Sequence, residues 1–221
     1  MVRGAIWFRS DLRLDDNPAL INAMKDCQEV IGIYIFSAEQ WNLHNESNVK
    51  HEFLVNNLTD LEKSLNNLNI PLITINSLNY GSVPSDLCSF ATRQQINHVF
   101  WNHEFGINES ARDIQASRIL NQKGMAVSSY QDQVIYEPGF LKTGQGKPFS
   151  VFTPFKRRWI ENFSMDFLDL QSPKSPARET SIQSNLSSLQ FKKSHNVNMD
   201  LWPAGEAAAP VSYTHLTLPT T

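Results

Sequence analysis

Cysteine is almost missing from this 221-residue sequence, which has only Cys27 and Cys88. Two thiols so far apart make no disulfide framework and no metal-ligand pair by spacing, so they read as structural thiols in a reducing compartment, taken as the cytoplasm. Long hydrophobic runs are missing too. The start, "MVRGAIWFRSDLRL", carries charge within a few residues of its apolar stretch, so it reads as neither a signal peptide nor a membrane span. There is also no excess of positive charge: 19 Lys and Arg stand against 22 Asp and Glu, for a formal net charge of -3. A nucleic-acid surface spread over the whole chain would need a dense basic face, which excludes that reading while leaving room for local basic patches. Asn-x-Ser/Thr triplets such as Asn45-Glu46-Ser47 occur, but without export they carry no weight.

What is present is a repeated alternation. Short runs rich in β-branched and aromatic residues recur at 5–8, 30–36, 71–75, 98–101 and 126–130, each with the look of a buried strand. Helical patterns lie between them. Leu54, Leu58, Leu61, Leu65 and Leu68 step by four and three residues, which predicts a helix with one apolar stripe laid on a sheet. Asn108 to Lys123 predicts another, with Asn108 as N-cap, Glu109 in the first turn and Gly124 just past the end. The alternation predicts an α/β domain: a doubly wound, five-stranded parallel sheet with helices on both faces, Rossmann-like or flavodoxin-like, followed by a linker. The expected divisions are a core over 1–131, an extension over 132–170 with a helix from about Thr153, and a linker over 171–200.

In open sheets of this kind ligands bind beyond the carboxyl ends of the strands, so the residues after each strand are the ones to weigh. After the first comes "RSDLRLDDNPAL", where Asp16 or Asn17 can cap a helix begun at Pro18 and where charged Arg9, Asp11, Arg13 and Asp15 alternate with Leu12 and Leu14. That alternation suits a loop with buried leucines and charges paired to one another or to a neighbouring segment. After the second strand, Trp41 and His44 stand three residues apart, and one helical turn would put indole and imidazole on one face, as an aromatic ligand would want. A core Trp beside a surface His is the competing reading. After the fourth, Asn108 and Glu109 sit at a helix start, where the pair can either cap the helix or present an amide and a carboxylate to an aminopyrimidine edge. No metal site is expected, since ligands at suitable spacing are lacking. "TGQGKPF" shares only its Gly-Lys with a phosphate loop and reads as a turn.

Taken together, "WFRSDLRLDDNPAL" (7–20), "IYIFSAEQWNLHN" (33–45), "WNHEFGINESARD" (101–113), "VFTPFKRRW" (151–159) and "LWPAGEAAA" (201–209) closely resemble, in order and spacing, the N-terminal antenna domain of the DNA photolyase and cryptochrome family. Trp41, His44, Asn108 and Glu109 look most like the folate-using cyclobutane pyrimidine dimer photolyases. The resemblance implies a pigment-holding α/β domain joined to a helical domain that holds FAD and damaged DNA, with the whole chain monomeric and no membrane involved. In such enzymes methenyltetrahydrofolate passes excitation to reduced FAD, which splits the dimer. By the family pattern Asn108 and Glu109 grip the pigment's aminopyrimidine edge, while His44, with Trp41 nearby, lines its cleft. No catalytic residue is assigned within these 221 positions, so the expectation is a deoxyribodipyrimidine photo-lyase whose FAD-binding part is absent and which is inactive as this piece. Residues 201–209 then read as the lead-in to that helical domain, and 210–221 as a foreign tail. A cryptochrome blue-light photoreceptor and a stand-alone nucleotide- or pterin-binding module are the alternatives.

Overall fold

All five apolar runs form strands: β1 (Arg3–Phe8), β2 (Glu29–Ser37), β3 (Leu72–Ser77), β4 (His98–Asn102) and β5 (Ala126–Tyr130). The computed structural model describes residues 2–168, 171–173, 178–186 and 198–209, and the stretch expected to be a foreign tail, 210–221, lies outside them. The strands pair in parallel in the order β3-β2-β1-β4-β5. Ile6 at the centre of β1 faces Gly32 on one side and Phe100 on the other. Strand order therefore reverses at β1 and β4, where the loops leaving the sheet diverge and open a crevice.

Side chains of β1 alternate between two cores, as a strand covered on both faces requires. Ala5 and Trp7 join Ile31, Ile33, Val99 and Trp101 under the helices α4 (Val83–Arg93) and α5 (Ile107–Gln122). Ile6 and Phe8 point the other way, into a cluster with α1 (Pro18–Asp26) and α3 (Asn48–Asn66). On α3, Leu58, Leu61 and Leu65 are buried and Leu54 packs at the margin, as does Leu68 just past the helix end, which follows the stripe expected from their spacing. Pro18 opens α1, and the Asn17 side chain accepts from Leu20 N, so the cap is Asn17 rather than Asp16.

Two expectations need correction. Helix α5 starts at Ile107 with Gly106 as its N-cap and no side-chain capping bond, so Asn108 lies inside the first turn instead of capping it. Strand β5 is only partly buried, because it is the outermost strand, and its Ser128 and Ser129 hydrogen bond with His98 and His103. The opposite outer strand, β3, is covered by residues within the span read as a linker. Asn185 N–H donates to Leu72 O, and the Asn185 side-chain amide pairs with both N–H and C=O of Thr74. A side chain thus stands in for a ladder peptide on an edge that would otherwise be open. Leu186 beside it enters the core. After β5 the chain adds α6 (Phe152–Asn162), which buries none of its residues.

Candidate functional site

A cleft of about 730 Å³ opens at the carboxyl ends of β1 to β4, where the strand order reverses. Its base is set by a buried polar knot. Asn102, the last residue of β4, donates to Asp11 Oδ2 (2.6 Å) and Asn17 Oδ1 (2.8 Å) and accepts from Ala19 N–H (3.1 Å). Asp11 also accepts from the backbone N–H of Arg9 at 2.8 Å. These bonds hold the loop after β1 against the end of β4, and each buried polar atom in the knot has a partner. Arg13 extends the hold outward through a charge pair with Asp132. The loop charges therefore pair mostly with neighbouring segments, while Leu12 and Leu14, expected to be buried, pack only partly buried at the edge of the core.

Trp41, His44, Asn108 and Glu109 all line this one cleft. Trp41 belongs to the short helix α2 (Ala38–Leu43) and is half-buried against Phe36 (ring centroids 5.7 Å) and His51 (4.2 Å), with Lys50 Nζ 5.2 Å from its ring centre. His44 is exposed at the end of that helix, and its Nε2 accepts from the Gln40 amide at 2.7 Å. Asn108 is exposed, leaving its amide open to the cleft, whereas Glu109 is half-buried. The Trp is thus partly a core residue and partly a wall of the cleft.

Glu109 is one end of a charged network that sequence reasoning missed. Arg112 N–H donates to Tyr80 Oη at 2.7 Å, and Tyr80 Oη in turn donates to Glu109 Oε1 at 3.0 Å. Arg112 also donates to Glu104 (2.9 Å) and Asp113 (2.7 Å), while Ser10 donates to Glu104 at 2.9 Å. The guanidinium carbons of Arg9 and Arg112 lie 4.7 and 4.6 Å from the Trp7 ring centre, within cation–π range. Burial alone would raise the Glu104 carboxyl, but the charges of Arg9 and Arg112 and the bonds from Arg112 and Ser10 hold it below its ordinary value. Burial pushes the Tyr34 and Tyr80 hydroxyls well up, so both stay protonated and able to donate. Arg9 is buried, and its Nε and Nη2 have no hydrogen-bond partner among the described residues. Both belong to a side chain on the cleft wall.

The result is a mixed surface: an indole wall, an amide that donates and accepts, and an acceptor-only carboxylate, over a buried guanidinium layer. Such a set suits a flat heteroaromatic ligand that carries both donors and acceptors. Among the described residues no group of three His, Cys, Asp or Glu is placed to hold a metal ion. Nor is any helix among them long and apolar enough to cross a membrane.

A family model described as DNA photolyase matches residues 5–178. A deoxyribodipyrimidine photo-lyase from Buchnera aphidicola is 31% identical over 211 residues, an alignment that covers 95% of this chain and 44% of that protein. Cryptochrome-1 of Arabidopsis thaliana is 33% identical over 174 residues, covering 79% of this chain and 24% of its own length. Among solved structures, a bacterial class III photolyase from Agrobacterium tumefaciens superposes with a TM-score of 0.81 at 26% identity, over 97% of this chain and 44% of that one. The chain thus spans less than half the length of the relatives it matches.

Proposed function

The chain belongs to the DNA photolyase family, and from that premise we propose that it is the pigment-holding part of a light-driven lyase for pyrimidine dimers, with methenyltetrahydrofolate as the pigment. The observation that carries this reading is the convergence of Trp41, His44, Asn108 and Glu109 on one cleft. A pterin presents an amino group and a ring N–H beside a ring acceptor. Glu109, which can only accept, takes the N–H groups, and Asn108 supplies a donor and a second acceptor. Trp41 and His44 line the wall beside the ring system. When bound, the pigment absorbs near-ultraviolet light and passes the excitation on to a reduced flavin. The residues of this chain bind the pigment, orient it and shield part of it from water.

The flavin and the damaged DNA belong to a part of the protein beyond these residues, and no catalytic residue is assigned here. The exposed apolar side chains Val151, Phe152, Ile160, Met165 and Phe167 offer that part a surface to pack on. Two free, buried cysteines fit a reducing compartment such as the cytoplasm.

Titrating the chain with methenyltetrahydrofolate and following near-ultraviolet absorption tests the site directly. Replacing Glu109 with Ala removes a charged acceptor, worth roughly 1.5–3 kcal/mol, so affinity should drop by about tenfold or more. An unchanged affinity would remove Glu109 from the site. The 33% identity to a cryptochrome favours a second reading, a blue-light receptor with the same pigment cleft. Light-dependent removal of dimers by the complete protein would decide for the lyase, and its absence for the receptor.

A further inference from the structure

The cleft has a wall made by a remote stretch of chain. Gly205, Glu206 and Ala209 line it together with Trp41 and Lys50, although well over a hundred residues separate them in sequence. Two neighbouring residues at its start tie it to two different elements. On one side the Glu206 carboxylate accepts from two successive backbone N–H groups, Leu14 at 2.8 Å and Asp15 at 3.0 Å. On the other, Gly205 N–H donates to Asn57 Oδ1 of α3 at 3.0 Å. The stretch therefore bridges the loop after β1 and the helix α3 across the cleft.

Each anchor is prepared to receive it. Arg13 occupies the carbonyls of Asp15 and Asp16, so the loop is held with the Leu14 and Asp15 N–H groups left for an acceptor. A carboxylate meeting two adjacent peptide N–H groups makes the stronger, charge-assisted kind of hydrogen bond. At the other anchor Gly205 has φ of +97°, in the region that favours glycine, and a Cβ there would collide with the Asp60 carboxylate. No residue of Met199–Leu201 or Glu206–Ala208 is buried. The stretch is fixed by polar ties and not by a core of its own, which marks it as a segment able to open at low free-energy cost.

We infer that residues 205–209 are a strap closing the pigment cleft, with Glu206 as its latch and positioning residue, so that the cleft's ligand and the docked strap stabilise one another. The inference rests on the cleft being a binding site, as proposed above, but not on which ring system it takes. Thermodynamic linkage then requires the effect to run both ways: a bound ligand must hold the strap down, and a broken latch must weaken the ligand.

The test uses the 221-residue chain, with methenyltetrahydrofolate and FMN titrated in parallel as probes. Elastase cleavage after Ala207 or Ala208, inside the strap itself, reports strap opening. Glu206→Ala should speed that cleavage in the free protein and weaken the bound probe by roughly tenfold, within the usual range of coupling between sites. Glu206→Gln, which keeps the shape but replaces one acceptor oxygen with a donor, should fall between wild type and Glu206→Ala on both measures. Glu109→Ala should leave cleavage of the free protein unchanged and abolish protection at probe concentrations that protect the wild type. Faster cleavage with unaltered probe affinity would overturn the strap, reducing Glu206 to a structural tie. FMN binding in place of the pterin, with the same dependence on Glu206, would retain the strap and overturn the folate reading alone. Binding of neither probe overturns both.

Discussion

The cleft end of the sheet and the extension after β5 are built on opposite plans. At the cleft, two arginines, three carboxylates and two tyrosine hydroxyls are gathered over a core that is fully formed beneath them. In the extension, rings pack on one another. Tyr136 stacks on Phe140 and meets Trp159 and Phe167 edge-on, and Trp159 stacks on Phe163, yet α6 buries nothing. One region spends buried polar groups on a shaped surface; the other keeps apolar groups near water. The first is how a domain fixes a binding site. The second is how it presents a face to another body.

The contrast breaks most sharply in stability. Phe100 is fully buried between β1 and α1, so Phe100→Ala should cost about 3–5 kcal/mol in a urea melt. Trp159→Ala, in the extension, should cost about 1 kcal/mol, the scale of lost ring contacts at a partly exposed site. Equal losses would show that the extension shares the core.

Next in size is the charged network. Arg112→Met leaves Arg9 as the one remaining cation beside Glu104 and Asp113, and removing one partner of a buried pair costs up to roughly 3 kcal/mol. It also removes the donor behind Tyr80, so pigment affinity should fall together with stability. If stability falls and affinity holds, the network supports the fold and not the site.

The sheet was legible from sequence because every strand but the outermost β5 carries a dense apolar run, and the alternation of strand and helix settles which way they pair. Strand order was not, since it depends on which edges meet. Helix α4 is barely marked: Val83, Leu87, Phe90 and Ala91 carry its buried face, but a Gly-, Ser- and Pro-rich lead-in hides the start. Trp41, His44, Asn108 and Glu109 stand out by resemblance and by their place after strands. Tyr80 does not, because its role comes only from Arg112 and Glu109 arriving from another helix. The cap of α5 was misread because a cap is a matter of backbone angles, and Gly106 supplies extended ones (φ −64°, ψ 149°) that leave Asn108 free.

A smaller effect separates the regions by acid. Glu104 has its folded-state carboxyl held below the ordinary value of 4.5. Its contribution to stability is therefore complete above about pH 4.5 and is lost as pH falls from there through the folded-state value. Urea midpoints of wild type should drop on acidification through that window, and those of Glu104→Gln should drop less. A parallel fall in both would assign the acid sensitivity to other carboxylates.

The smallest effect on stability belongs to the exposed face of α6, and it is the most informative about that face. Phe152 and Ile160 are 72% and 57% exposed, so neither contributes to the core and replacing both with Ser should move the unfolding free energy by no more than about 0.5 kcal/mol per site. Solubility should respond differently. Isolated chains share this apolar face with no partner, and self-association through it should limit the concentration at which the chain stays monomeric. The double variant should raise that limit, read by light scattering across a concentration series, while leaving pigment affinity untouched because neither residue lines the cleft. If wild type is already monodisperse at high concentration and melts cooperatively, the face is self-sufficient, and the contrast between a finished site and an unfinished surface dissolves.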